Sequence, residues 1–307
     1  MNRPDTTRRW LIIRSGAVGD TILLSPLIQV IRRSDPLARI ELLGHKERLS
    51  LLVGNGLADR AVSMEELNIE CLYLECTPLK PHLRDYLERF DCIIWFVGCV
   101  QDWMREKVRV KTEQWVHVRT ALPTEQEQKH IILQYLKALP EFVRIEPVPP
   151  VKVHVSQEEK IRALHWFRKN NIREEFLIGL HVGAGSPKKW ADLNLFVESV
   201  RKPEGNCRVL LIQGPADEEP ANNFLELLPS GIPVTRIVNE PLTFLAAVLS
   251  SCNQFVGNDS GITHLAAAVG CNTTVYFVSS NPHIWAPVGD HVNVVDLRLY
   301  HQGNSTG

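Results

Sequence analysis

The stretch WLIIRSGAVGDTILLSPLIQVIRR, residues 10–33, decides the fold of this chain. Trp10–Arg14 is a short apolar run that predicts a buried strand, and Ser15–Asp20 follows it as a turn with two glycines. From Thr21 to Arg33 apolar residues recur at helical spacing, with Pro26 in the first turns, where proline costs least. The stretch therefore predicts a strand, a glycine-bearing turn and one helix, which together are the repeating unit of an α/β protein.

The same order of elements recurs along the chain. Further strands are predicted at 39–43, 90–97, 114–118, 176–182, 208–213, 254–257 and 273–278. Further helices are predicted at 124–139 and 158–169, and at about 191–201, 217–228, 241–251 and 261–269. Thr124 and Glu127 form a capping box for the first of these helices. Because strands that alternate with helices form parallel sheets covered on both faces, the predicted class is α/β.

Segment 140–151 interrupts this rhythm with four prolines and no helical period, as a domain linker does. The 307 residues are also enough for two domains. The prediction is therefore an N-terminal domain over 1–150 and a C-terminal domain over 151–307. Ligands of such sheets bind at the carboxyl ends of the strands, so a cleft between the two lobes is the expected site.

The composition excludes several classes of protein. Hydrophobic residues at 44% and charged residues at 22% argue against a disordered or fibrous chain, and a net charge of −1 argues against nucleic acid as a partner. Seven cysteines without a CxxC pair predict neither a zinc site nor a disulfide framework, and favour a reducing, cytoplasmic compartment. Residues 260–289 lack Asp, Glu, Lys and Arg, but polar residues and prolines interrupt them, so a buried helix and strand fit better than a membrane span.

The segment that best fits ligand chemistry is GNDSGITHLAAA, residues 257–268. It links a predicted strand to a predicted helix, with Asp259 and Ser260 at the N-cap and Gly261 in the first turn. Free backbone N–H groups at such a position suit a phosphate. Ordinary capping of a buried helix explains the same pattern, and His264 by itself fits a buried histidine near a helix start.

A second glycine-bearing turn, GAGSPKKW at 183–190, also follows a predicted strand and precedes a helix. Its Lys188 and Lys189 could hold a diphosphate, or the turn could be an exposed basic loop. The segment does not match GxxxxGK[ST], which disfavours a P-loop nucleotide hydrolase.

Two more strand-to-helix turns carry acidic residues. In Ser15–Asp20, which does not match GxGxxG, Asp20 could accept a proton from a substrate hydroxyl or cap a helix. In Gln213–Glu219, Glu218 or Glu219 could bind ribose hydroxyls or complement the helix dipole. Together the four turns would supply phosphate donors, a cation, a ribose acceptor and a base. That set predicts glycosyl transfer from a nucleotide sugar.

Several of these segments carry a resemblance to a known family, over about residues 8–289. The chain resembles the bacterial ADP-heptose:lipopolysaccharide heptosyltransferases, glycosyltransferase family nine. The matching motifs are LIIRSGAVGDTILLSPL at 11–27, FDCIIWF at 90–96, KKW at 188–190, DSGITHLAAAVG at 259–270 and TTVYFVSSNPHIWAP at 273–287.

The resemblance implies a GT-B fold, with two Rossmann-like lobes whose parallel sheets face a central cleft. It implies inverting transfer without a metal ion or other cofactor, with the acceptor on the N-terminal lobe and the nucleotide sugar on the C-terminal lobe. The donor expected from the family is ADP-heptose, and the acceptor is a cell-envelope oligosaccharide or glycolipid such as the lipopolysaccharide core. Such a chain would work in the cytoplasm, with contact to the inner face of the membrane left open.

The resemblance also implies residue roles. Asp20 is the catalytic base, and Ser15, Gly16 and Gly19 form the acceptor-side loop around it. The implied donor-binding residues are Lys188 (with Lys189 as its rival) for the diphosphate, Glu218 for the ribose, Asp259 for the sugar, Ser260, Gly261 and Ile262 for the phosphates, and His264 nearby.

Other functions also fit this sequence. The same fold could use another nucleotide sugar or acceptor, or act as a hydrolysing nucleotide-sugar epimerase, or be a degenerate sugar-nucleotide-binding protein. A dehydrogenase is disfavoured because GxGxxG is absent. The basic cluster REKVRVK at 105–111 could meet an anionic saccharide or a membrane surface, or be a solvated face.

Overall fold

The paired strands of this protein all run parallel, within the residues that the computed structural model describes: 7–123, 128–173, 176–201 and 207–298. The chain divides into two units, with the boundary between His154 and Val155. Each unit has its own sheet with helices on the connections. The predicted α/β class is confirmed.

The first unit has a five-stranded sheet in the order β3-β2-β1-β4-β5. Its strands are β1 Arg9–Arg14, β2 Arg39–Gly44, β3 Arg60–Ser63, β4 Cys92–Val97 and β5 Trp115–Thr120. The strand order reverses between β1 and β4, which makes their carboxyl ends the topological switch point of this sheet. The turn Ser15–Asp20 begins at this point, because it follows β1 directly.

The second unit has a six-stranded sheet in the order β11-β10-β9-β6-β7-β8. Its strands are β6 Phe176–His181, β7 Cys207–Gln213, β8 Val234–Val238, β9 Gln254–Asn258, β10 Asn272–Phe277 and β11 Val292–Asp296. Here the order reverses between β6 and β9, which pair from Ile178 opposite Gln254 to His181 opposite Gly257. The switch point of the second sheet therefore lies where His181 and Asn258 end their strands.

The helices fill the connections between these strands. In the first unit they are α1 Val18–Ile22, α2 Ser25–Ser34, α3 Lys46–Leu49, α4 Met64–Leu67, α5 Pro81–Leu87, α6 Asp102–Val108 and α7 Ile131–Leu136. In the second they are α8 Gln157–Lys169, α9 Leu193–Arg201, α10 Glu218–Leu227, α11 Leu242–Leu249, α12 Gly261–Ala268 and α13 Pro282–Trp285. Among the described residues no helix combines the length and the apolarity needed to cross a bilayer.

The central strands are buried along almost their whole length, because helices cover both faces of each sheet. All six residues of β4 are buried, and so are the last five of β1 and of β6. Burying one Leu or Ile side chain stabilises the fold by about 1.5–3 kcal/mol. These strands therefore form rigid supports for the turns at their carboxyl ends.

The strands predicted from apolar runs are confirmed, whereas β3, β8 and β11 were missed. All three are edge strands, and their sequences RAVS, VTRIV and VNVVD leave several side chains partly exposed. An edge strand has a neighbouring strand on one side only, so it is less buried and its sequence lacks the continuous apolar run of a central strand.

The single helix predicted over Thr21 to Arg33 is wrong, because the chain forms two helices there. α1 ends at Ile22 and α2 starts at Ser25, with Pro26 in its first turn. Proline has no N–H to donate and its ring clashes with the carbonyl four residues back, here that of Ile22. Because α1 already begins at Val18, Pro26 would fall deep inside a continuous helix, and the helix restarts instead.

Of the segment 124–139 that is predicted as a helix, the described residues form the shorter helix α7, Ile131–Leu136. His130 caps it, since its Nδ1 accepts a hydrogen bond of 3.3 Å from the amide of Ile132. The capping box predicted at Thr124 and Glu127 lies outside the described residues.

The proline-rich segment 140–151 is packed against the first unit and does not form a free linker. Gln29 Nε2 on α2 donates to the Pro150 carbonyl at 2.7 Å, and Arg33 Nη1 donates to that of Pro147 at 2.9 Å. Further on, the Lys152 amide donates to Ser25 Oγ at 2.9 Å. These hydrogen bonds explain why the boundary between the units falls after the prolines.

Candidate active site

The first candidate site lies at the carboxyl ends of β6 and β9 in the second unit. Open α/β sheets bind their ligands at such a switch point. Directly after β9, Ser260 caps α12, and its Oγ accepts a hydrogen bond of 3.4 Å from the Thr263 amide. The amides of Gly261 and Ile262, next to Ser260, belong to the first turn of α12, whose N–H groups have no partners within the helix. This turn has the donors that an anion needs.

A lysine lies against the same turn. Lys189 Nζ is 2.6 Å from Asp259 Oδ2, which the Ser280 hydroxyl also contacts. Lys188 is exposed, and its amide donates to Ser186 Oγ at 3.3 Å. Of the two lysines considered for the diphosphate, Lys189 is therefore the one whose side chain joins Asp259.

Asn258 fixes the lysine loop to the end of β9. It is fully buried, its Nδ2 donates to the Val182 carbonyl at 2.7 Å, and its Oδ1 accepts from the Ala191 amide at 2.9 Å. These two bonds hold both ends of the loop that carries Lys189. The lysine and the start of α12 are thus positioned by one side chain.

The remaining predicted donor residues lie at the same edge of the same sheet. Glu218 is the exposed first residue of α10, just beyond the carboxyl end of β7, which neighbours β6. His264 is buried on α12, where its amide donates to the Ser260 carbonyl at 3.3 Å. Three of the four strand-to-helix turns belong to this unit, and Ser15–Asp20 belongs to the first.

His181 and Asp217 are residues of this edge that the sequence analysis missed. His181 Nε2 lies 3.0 Å from Asp217 Oδ2, and both side chains are buried. Burial by itself raises the pKa of Asp217, but the hydrogen bond and charge of His181, with the Gly214 amide at 2.8 Å, hold it below the ordinary value. A Cβ on Gly183 would overlap the Asp217 carboxylate, so this position requires glycine.

The second candidate site lies at the switch point of the first unit and contains Asp20. Asp20 Oδ2 accepts a hydrogen bond of 3.0 Å from the Ala17 amide and lies 3.2 Å from Arg14 Nη2. Arg14 is buried and also donates to the Tyr135 hydroxyl at 3.2 Å. Among the described residues Asp20 Oδ1 makes no hydrogen bond, and the Asp20 side chain is 22% exposed. One carboxylate oxygen is thus anchored while the other is available to a substrate.

Glycine at position 16 allows this arrangement. A Cβ there would lie 2.7 Å from Asp20 Cβ and 2.8 Å from Arg14 Cζ, so a side chain would push the pair apart. The Gly16 carbonyl accepts a bond of 2.7 Å from Arg48 Nη1, which fixes the turn from α3. Ser15 is exposed beside it, and Gly19 is buried within α1.

Among the described residues, no three His, Cys, Asp or Glu side chains come together in a way that could hold a metal ion.

Comparison with known proteins shows which family the sequence matches. The sequence model of glycosyltransferase family 9 (heptosyltransferase) matches residues 96–306. Lipopolysaccharide heptosyltransferase 2 of Escherichia coli (strain K12) is 25% identical over 177 residues, which are 55% of this chain and 50% of that protein. The chain thus spans about half the length of the curated relative that it matches.

Solved structures show the same fold. The glycosyl transferase family 9 protein from Veillonella parvula DSM 2008 has a TM-score of 0.75 at 17% identity, over 97% of this chain and 88% of its own. E. coli ADP-heptose LPS heptosyltransferase II has a TM-score of 0.72 at 18% identity, over 94% of this chain and 90% of its own. The expected GT-B fold class is confirmed, and with more than half of its residues matched by the family's model, this chain belongs to glycosyltransferase family 9.

Proposed function

We propose that this protein is an inverting, metal-independent glycosyltransferase. It moves a sugar, heptose from ADP-heptose, onto a cell-envelope oligosaccharide such as the lipopolysaccharide core. Its membership of family 9 supports the reaction class, and its likeness in sequence and in fold to E. coli heptosyltransferase II supports the donor and acceptor class. The reaction takes place in the cytoplasm, where the chain meets an oligosaccharide or glycolipid acceptor.

The observation that carries the proposal is the Lys189–Asp259 pair beside the start of α12. A helix N-terminus attracts anions through its free amides and its dipole, and a lysine adds a full positive charge. A nucleotide sugar has such an anion, its diphosphate, with a ribose on one side and the transferred sugar on the other. In the proposed complex Lys189 and the amides of Gly261 and Ile262 bind the diphosphate.

The other residues of that edge serve the two ends of the donor. Glu218, on the turn after β7, accepts hydrogen bonds from the ribose hydroxyls, because carboxylates are acceptors only. Asp259 exchanges part of its contact with Lys189 for a hydroxyl of the transferred sugar. His264 stays buried behind them on α12.

In the proposed reaction Asp20 is the base. Its Oδ1 removes the proton from an acceptor hydroxyl while that oxygen attacks the anomeric carbon. The bond from this carbon to the phosphate oxygen breaks, and the nucleoside diphosphate leaves with the electron pair. Attack opposite to the leaving group inverts the configuration. The positive charge at Lys189 and the amides of α12 stabilise the charge that develops on the leaving group.

Thermal unfolding with a panel of ADP-, UDP- and GDP-sugars tests the donor. A ligand that binds only the folded state raises the unfolding temperature by mass action, so ADP-sugars should stabilise the protein and the others should not. Stabilisation by UDP- or GDP-sugars alone would replace ADP-heptose with another donor. No response to any nucleotide sugar would contradict both this donor assignment and the sugar-nucleotide-binding alternative.

Chelation tests the absence of a metal requirement. Transfer to a truncated lipopolysaccharide core is measured before and after dialysis against EDTA, with a metal-dependent glycosyltransferase as the positive control. We expect unchanged turnover. Loss of activity that returns when a divalent cation is added would contradict a metal-free mechanism.

A further inference from the structure

Three side chains in the second unit form a continuous hydrogen-bonded row that ends at the start of α12. Asp217 Oδ2 lies 3.0 Å from His181 Nε2, and His181 Nδ1 lies 3.1 Å from Ser260 Oγ. They come from three separate segments: the turn after β7, the end of β6 and the cap of α12. His181 is only 4% exposed, so both of its ring nitrogens are used inside the protein.

The donors and acceptors along the row define where the protons lie. Asp217 is ionised near neutral pH, because its pKa is held below the ordinary value. An ionised carboxylate only accepts hydrogen bonds, so His181 Nε2 carries a proton and donates a hydrogen bond to Asp217. The remaining nitrogen, Nδ1, therefore faces Ser260 Oγ either as an acceptor or, when the ring is charged, as a donor.

The Ser260 hydroxyl can correspondingly point its proton in either of two directions. Its oxygen accepts from the Thr263 amide, and the Thr263 hydroxyl already donates to the Asn258 carbonyl at 2.6 Å. With a neutral imidazole, the Ser260 hydroxyl donates a hydrogen bond to His181 Nδ1. With a charged imidazolium, His181 donates to Ser260 Oγ, and the Ser260 hydroxyl then donates a hydrogen bond toward Thr263 Oγ1 at 3.1 Å or toward a bound ligand.

We infer that His181, held by Asp217, is a positioning residue that turns the Ser260 hydroxyl toward the donor diphosphate when the imidazole takes up a proton. The inference rests on the proposed function, because it requires an anion at the start of α12. A bound diphosphate favours the charged imidazolium by adding negative charge next to Ser260. Donor binding is therefore coupled to the uptake of one proton.

The surroundings of His181 fit this coupling. β6 itself carries no other titratable side chain, since its sequence is FLIGLH. From the β7 turn the contacting charged group is Asp217, which favours the imidazolium. From the α12 turn the contacting group is the Ser260 hydroxyl, and the neighbouring Asp259 is already paired with Lys189.

Calorimetric titration of the full chain with ADP-ribose tests the inference. The diphosphate of ADP-ribose is a diester, so the ligand itself gains no proton near neutral pH. Titrations between about pH 5 and 8, the range in which histidine side chains generally change charge, are run in two buffers with different heats of ionisation. We expect proton uptake approaching one in part of this range, and an affinity that rises by up to about tenfold per unit of falling pH there.

Three variants separate positioning from a merely structural role. His181→Gln should bind ADP-ribose without proton uptake and with an affinity that no longer depends on pH. Asp217→Asn keeps the imidazole but removes its charged partner, so proton uptake on binding should shrink. This variant provides a second test in case His181→Gln does not fold. Ser260→Ala keeps the His181–Asp217 pair but loses the hydroxyl, so it should bind more weakly, with a reduced dependence on pH.

The outcomes distinguish the inference from the proposed function. If the wild-type chain binds ADP-ribose with no proton uptake at any pH, or if His181→Gln retains the uptake, the inference is overturned while the donor site stands. If the wild-type chain does not bind ADP-ribose at all, the proposed ADP-sugar donor fails, and with it the role assigned to His181.

Discussion

Lys189 Nζ and Asp259 Oδ2 lie 2.6 Å apart, although the two residues are separated by 70 positions in the sequence. The contact joins the loop after β6 to the turn after β9, across the point where the strand order reverses. It pairs a cation with the residue that precedes the cap of α12. A diphosphate bound at that turn would compete with Asp259 for the same lysine.

This geometry predicts that the two adjacent lysines differ in function. Lys189→Gln should weaken ADP binding by about 10- to 100-fold, which corresponds to the loss of one charge-assisted hydrogen bond. Lys188→Gln is the matched control, because Lys188 is exposed one position away, and it should change the affinity little. Calorimetric titration with ADP measures both. Equal losses in the two variants, or a larger loss for Lys188→Gln, would contradict the assignment.

The Arg14–Asp20 pair predicts an effect on turnover without an effect on donor affinity. Arg14→Met removes the group that holds Asp20 Oδ2, so kcat should fall by about 10- to 100-fold, again the equivalent of one hydrogen bond to a charge. The Kd for the ADP-sugar should stay unchanged, because the donor residues belong to the other unit.

Tyr135→Phe is the control for this variant. It removes the hydroxyl that accepts from Arg14 Nη2 and leaves the contact between Arg14 and Asp20 in place. Its kcat should therefore fall less than that of Arg14→Met. If Arg14→Met instead loses donor affinity at unchanged kcat, Arg14 does not act through Asp20.

The lowered pKa of Asp217 predicts how stability depends on pH. A carboxylate whose pKa is lower in the folded than in the unfolded state stabilises the protein above the unfolded value of about 4, and this contribution disappears as the pH falls through the folded value. Asp217→Asn removes the contribution. The difference in free energy of unfolding between wild type and variant should be largest near neutral pH and shrink below about pH 4.

Urea denaturation from neutral to acidic pH measures this difference. Glu226→Gln, an exposed acid on α10 in the same unit, is the control and should have little effect at any pH. A deficit of Asp217→Asn that persists unchanged in acid would mean that Asp217 stabilises the fold by packing and not by its charge.

The cysteines predict a pattern of chemical reactivity. Cys76 and Cys99 are exposed, whereas burial raises the pKa of Cys92 and of Cys271 to about 12 and that of Cys252 further still. The thiolate is the reactive form, so the exposed pair should react with a disulfide reagent well before Cys92, Cys252 and Cys271. Mass-spectrometric mapping after brief labelling checks this order. Rapid labelling of Cys252 or Cys271 would contradict the packing of the second unit.

Much of the fold follows from the sequence because central strands of parallel sheets are buried on both faces. Runs such as LLIQ before Gly214 leave few alternatives to a buried strand. The turns after these strands could therefore be placed at the carboxyl edge of a sheet. The edge strands β3, β8 and β11 have weaker patterns because one side of each lacks a neighbour. The break before Pro26 was missed because the start of α1 at Val18 was not recognised.

The candidate site could be predicted only as a set of turns. Whether Lys188 or Lys189 faces Asp259 depends on the short 3₁₀ turn Pro187–Lys189, which rotates neighbouring side chains in different directions. The contact between His181 and Asp217 depends on β6 lying next to β7, which a single sequence does not specify. A histidine that ends a strand just before a glycine turn was the available signal.

The central claim is that Asp20 is the base for transfer and takes no part in holding the donor. The most direct test measures two quantities on Asp20→Asn: the Kd for the ADP-sugar by calorimetry, and the rate of transfer to a truncated lipopolysaccharide core. The account predicts an unchanged Kd and a rate lower by at least the factor of about 10²–10⁴ typical of a positioned base. An Asp20→Asn protein that transfers at the wild-type rate, or that loses its donor affinity, would contradict it.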